Sequence, residues 1–132
     1  MLLKAKKLLL IFFALCKVPG YIVKFNRNSI QKIFFEVETE KVKTQKIELP
    51  IKKIIELVRM LVLCFQFSKN CFLRAYVSYK VLADLGIKSN FYVGVNADKS
   101  FKSHAWIQIG EKLVLESPNK INNLAIIFTN NK

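Results

Sequence analysis

The spacing at which apolar residues recur changes once along this chain, and that change restricts the folds open to it. Pro50 opens a stretch in which Ile51, Ile54, Ile55, Val58, Leu61, Val62 and Phe65 recur at helical spacing, with Lys52, Lys53, Glu56 and Arg59 on the outside. After a break at 67–70, Asn70 is placed to cap a further helix whose apolar stripe is Phe72, Ala75, Tyr76, Tyr79 and Ala83. Gly86 stands where a glycine ends a helix. From residue 91 the spacing is two. Phe91, Val93 and Val95 share one face of a strand over 91–97, leaving Tyr92, Gly94 and Asn96 on the other. Over 103–109, Ala105, Ile107 and Ile109 share a face, leaving His104, Trp106 and Gln108 opposite, and 112–117 reads as a third strand. Helices followed by an antiparallel meander make an α+β domain.

The first half is less regular. Lys4, Lys6 and Lys7 followed by the apolar run 8–16 imitate a secretory signal. The run is shorter than the roughly 20 apolar residues that span a bilayer. We read it as a first helix, ended by Pro19-Gly20 and packed on the rest, in preference to membrane association through residues 1–18. A short helix is expected around 29–38 with Asn28 as its cap. The charged, alternating stretch 36–50 reads as an exposed strand or a linker.

Hydrophobic residues make up 52% of the 132, enough for one core. The net charge of +13 has the look of a nucleic-acid footprint, but only three of the 22 basic residues are Arg, which fits a Lys-biased composition or a weakly acidic partner better. No stretch has the Arg-rich or aromatic-interleaved pattern of nucleic-acid readers, so no nucleic-acid partner is expected. Three cysteines without CxxC spacing argue against a disulfide framework and for a reducing, cytoplasmic setting. Cys16, Cys64, Cys71 and His104 lack the paired spacing of a zinc site, and no metal or cofactor is expected. Cys16 and Cys64 fall within apolar helical runs and read as core.

"KSHAWIQIG" (102–110) holds the only histidine and the only tryptophan. Cys71 reads as the first residue of its helix, where the dipole and unsatisfied backbone N–H groups stabilise a thiolate, with Arg74 one turn on. A nucleophilic thiol needs an imidazole base held by a third polar group. A three-residue loop at 110–112 would pair Ile109 with Leu113 and Ile107 with Leu115, keeping the apolar face continuous and setting Glu116 diagonal to His104. A two-residue loop would put Glu116 on the other face. Spacing and polarity alone leave open whether Cys71 and His104 are a dyad or a buried thiol and a structural imidazole.

The ordered string Asn-Cys71-Phe-Leu-Arg74-Ala, "LADLGI", "FYVGV", Phe101, "HAW", Gly110 and "LES" resembles the lasso-peptide leader peptidases. These are the microcin-processing branch of the transglutaminase-like cysteine proteases. The match covers roughly 68–118, with 50–67 matching only as a preceding helix. The resemblance implies a transglutaminase-like, papain-like core, with Cys71 as nucleophile, His104 as base and an acidic third residue. That residue is commonly Asp; Glu116 is the nearest match here. It implies one domain over 1–132, a helical part at 1–49 and a catalytic core at 50–128. The implied activity is removal of the leader from a ribosomally made precursor peptide. A separate leader-recognition protein and an ATP-using macrolactam synthetase are the implied partners. Trp106 would wall the cleft and Arg74 would line it, and Gln66 is a candidate oxyanion donor. A transamidase or acyltransferase using the same dyad, and a basic membrane-apposed module with an inert thiol, are the competing readings.

Overall fold

A computed structural model describes residues 2–42, 49–66, 71–96, 102–114, 121 and 124–130. Five helices precede four strands: α1 (Leu2–Cys16), α2 (Val18–Arg27), α3 (Ile30–Thr39), α4 (Ile51–Gln66), α5 (Cys71–Asp84), β1 (Asn90–Asn96), β2 (Lys102–Ile109), β3 (Lys112–Leu113) and β4 (Ala125–Thr129). The strands form one antiparallel sheet in the order β3-β2-β1-β4. The α+β class read from the spacing is the one found.

Helix α5 is the centre of the molecule. Every residue from Ala75 to Leu82 is buried, including Ser78 and Lys80, because α1, α2 and α4 pack on it as well as β1 and β2. A helix enclosed this way is buried on every face, polar residues included, so its single apolar stripe understates how much of it is core. Tyr76 meets Tyr21 and Phe25 of α2, and Tyr79 meets Phe91 of β1. Gly86, at φ +77°, ends α5 as expected, and the N–H of Ile87 donates back to the Leu82 carbonyl.

Three local readings of the N-terminal half are corrected. Pro19 does not end a helix: α1 stops at Cys16 and Pro19 lies in the first turn of α2, where a missing N–H costs nothing. The cap of α3 is Ser29, whose Oγ accepts from the Lys32 N–H, while Asn28 ends α2. The stretch from 36 continues α3 to Thr39 before the chain leaves the helix.

The sheet brings two further corrections. β4, at 125–129, pairs with β1 and was not anticipated. The β2–β3 turn has two residues, not three: Ile109 pairs with Lys112 and Gln108 with Leu113, and the Val114 N–H donates to the Ile107 carbonyl. Gly110 explains this. It adopts φ +62° at the first turn position, as a two-residue hairpin turn requires. Cys16 and Cys64, read as core, are both exposed.

Candidate active site

Cys71 opens α5 and is partly exposed. Its helix sees solvent only at its ends, so the thiol sits where the buried helix emerges. Beside it lies a cavity of about 20 Å³, room for roughly one water. Its lining includes Cys71, Arg74 and Ser78 from α5, Arg59 from α4, and Ala105 and Trp106 from β2. The space is too small for a peptide.

Two of the chain's three arginines line this cavity. Arg74 was expected there. Arg59 had been placed on the outside of α4, but it is only partly exposed. Its signal was compositional, as a guanidinium in a chain that otherwise uses Lys. Guanidinium groups at such a place can receive charge that develops on a carbonyl oxygen. The Arg74 Nε is buried and makes no hydrogen bond among the described residues.

The histidine is set by the sheet. β2 pairs with β1 so that Gly94 lies opposite His104 and Tyr92 opposite Trp106. Trp106 is 2% exposed and stacks on Tyr92 at 5.6 Å and on His104 at 6.0 Å between ring centroids. Gly94 makes room for this stack. A Cβ there would lie 2.8 Å from the Leu124 Cβ and 3.1 Å from the Trp106 ring. Ala105 and Ile107, alternating with these residues, join the main core instead.

Trp106 is therefore common to both halves of the expected machine. It lines the cavity beside Cys71 and carries His104 on its ring. His104 itself, partly exposed, is not among the cavity-lining residues described. The observed turn also removes the register that set Glu116 beside His104. Glu116, Asn70 and Phe101 lie outside the described residues, as does the Gln66 side chain. Asn96, on the face and strand of Gly94, is one step along from the position opposite His104.

A family model described as the transglutaminase-like superfamily matches residues 26–129. The chain belongs to that superfamily. The matched span takes in α3, α4, α5 and all four strands, and so both Cys71 and His104. The microcin J25-processing protein McjB of Escherichia coli is 26% identical over 61 residues, which is 46% of this chain and 29% of McjB. The aligned part thus spans less than a third of that relative. No solved structure matches.

Proposed function

We propose that this chain acts in lasso-peptide processing as a cysteine peptidase that removes the leader from a precursor peptide. The observation that carries the proposal is the helix-start thiol of Cys71 at a cavity walled by Arg59, Arg74 and the tryptophan of the His-Ala-Trp strand. Superfamily membership and the similarity to a microcin-processing protein support the pathway.

In this reading His104 takes the thiol proton of Cys71, and the sulfur attacks the carbonyl of the leader–core bond. The tetrahedral intermediate collapses as His104 returns the proton to the leaving amine, freeing the core and leaving a leader thioester. Water then attacks that thioester, again with His104 as base, and releases the leader acid and the free thiol. This transfer needs the Cys71 thiol and the His104 imidazole within hydrogen-bond reach, a contact that tightens on substrate in enzymes of this kind. The imidazole is proposed to be held by Glu116 only if the chain after Val114 returns it to the His104 face, and otherwise by Asn96, with Trp106 excluding water from the closed site. A leader-recognition protein would present the precursor, and a macrolactam synthetase would take the freed core.

The test is cleavage of a cognate precursor followed by mass spectrometry, with the leader-recognition protein present. The expected products are a leader acid and a core with a free amine. Cys71→Ala should abolish them and His104→Ala should slow them by about 10²–10⁴-fold, with circular dichroism unchanged. Normal turnover in either variant would reject the dyad. A leader product carrying an added amine in place of water would identify a transamidase instead.

A further inference from the structure

We propose that α1 is a docking helix that lies in the plane of an anionic membrane surface. Its inner face is already occupied: Ala14 is buried, and Leu10, Ile11 and Leu15 pack against the core. Its outer face is equally apolar and faces solvent, with Leu8, Leu9, Phe12 and Phe13 between 55% and 68% exposed. At 100° per residue these four form one continuous arc, and Lys4 and Lys6 fall at its two margins. An apolar arc with lysines along its edges suits an interface, where the rings enter the acyl boundary and the ammonium groups reach the headgroups.

Charge selects the occupant. Residues 1–35 contain seven Lys and Arg and no Asp or Glu. A second copy on this face would set two such segments against each other, whereas anionic headgroups complement them. Packing selects the orientation. At about 1.5 Å per residue the 15 residues of α1 measure about 22 Å, short of the roughly 30 Å hydrocarbon core. By length and composition the longer run Lys4–Arg27, whose most apolar 18-residue window has mean hydropathy 1.9, could cross a membrane. Its second half is committed elsewhere, however, since Val18 and Ile22 of α2 are buried in the protein core. Crossing would pull that core apart, and lying flat leaves it intact.

The full chain should co-sediment with 7:3 phosphatidylcholine–phosphatidylglycerol vesicles at low salt and only weakly with phosphatidylcholine alone. High salt should release it, and so should alkaline carbonate. Phe12→Ser with Phe13→Ser should abolish binding without changing circular dichroism. Lys4→Gln should weaken it about fivefold, the loss expected for one cation near an anionic surface. Cys71→Ala should bind like the wild type, so failure of the peptidase reading leaves this result untouched. Three outcomes would overturn the proposal: no binding to either vesicle, binding retained by the Phe12/Phe13 variant, or carbonate-resistant insertion.

Discussion

Gly94 shows how far one residue can decide a site. It is the position opposite His104, and its missing side chain is what lets Trp106 lie flat against the sheet beside Leu124. Gly94→Ala should cost about 1–3 kcal/mol, because backbone and ring must both move to admit a methyl group. The same displacement should tilt the surface on which His104 rests. The expected result is a fall in kcat beyond the loss in stability, with shifted fluorescence from the single tryptophan. An unchanged emission spectrum with full activity would show that the ring does not position His104. Glu116 is tested at the same scale. If the two-residue register continues past Val114, Glu116→Gln and Glu116→Asp should both leave kcat nearly unchanged, whereas a loss of orders of magnitude in Gln that Asp partly recovers would place the carboxylate at His104. If both are neutral, Asn96→Ala becomes the decisive variant, since Asn96 shares the face of His104.

At the scale of elements, α5 carries a charge into the core, and α3 and its C-cap residue neutralise it. Lys80, 8% exposed, makes ion pairs with Glu36 at 3.1 Å and Glu40 at 2.8 Å, and Lys24 adds a second cation to Glu36 at 2.8 Å. Tyr76 donates to Glu36, Tyr79 to the Val37 carbonyl and Tyr21 to Asp84. Burial works to raise the Glu36 carboxyl, but the ammonium groups of Lys24 and Lys80 outweigh it and hold it below its ordinary range. Burial likewise works against the Lys80 ammonium, and Glu40 and Glu36 outweigh it, so Lys80 stays charged above its ordinary range. The Glu36 contribution is present above the unfolded carboxylate pKa and is lost as pH falls through the folded value. That of Lys80 is present below the unfolded lysine pKa and is lost as pH rises through the folded value. Lys80→Met should therefore destabilise the fold by about 3–5 kcal/mol near neutral pH, by leaving the Glu40 carboxylate without its cation and Glu36 with Lys24 alone. The deficit should shrink on acidification as those carboxylates take up protons, and adding Glu36→Gln and Glu40→Gln should recover much of it. Denaturant midpoints across pH would check the sign. None of this was legible in the sequence, where Lys80 is one lysine among 19 and its partners lie some 40 residues away. Helix α4 was legible because its apolar positions recur without interruption, and the start and end of α5 because Asn70 and Gly86 mark them in the sequence. Helix α2 was hidden because Pro-Gly reads equally as a stop and as a first turn.

The whole molecule depends on a strand that local pattern did not reveal. β4 is an apolar run without alternation, and three of its five residues are exposed, so only its pairing with β1 identifies it. It nevertheless ties the sheet to the N-terminal half. Phe128 stacks on Phe34 of α3 at 4.2 Å, and Phe34 in turn meets Phe72 of α5. Asn130, just past the strand, accepts from the Phe91 N–H at 2.7 Å and donates to the Tyr79 hydroxyl at 3.5 Å. One segment thus holds α3, α5 and β1 together, and the helices and the sheet should unfold as a unit. Trp106 reports on the sheet, and far-ultraviolet circular dichroism is dominated by the five helices. The two transitions should coincide in the wild type. Asn130→Ala leaves the partly buried Phe91 N–H without its acceptor and should cost about 1–3 kcal/mol. Phe128→Ala should cost about 2 kcal/mol, below the fully buried phenylalanine range because the ring is only partly covered. Both variants should move the fluorescence and dichroism midpoints together. A fluorescence midpoint that falls while the helical signal holds would mean that the sheet melts from a surviving helical layer. The Trp106 platform that carries His104 would then be lost before the helix that carries Cys71, and any activity that needs both would be lost below the helical midpoint.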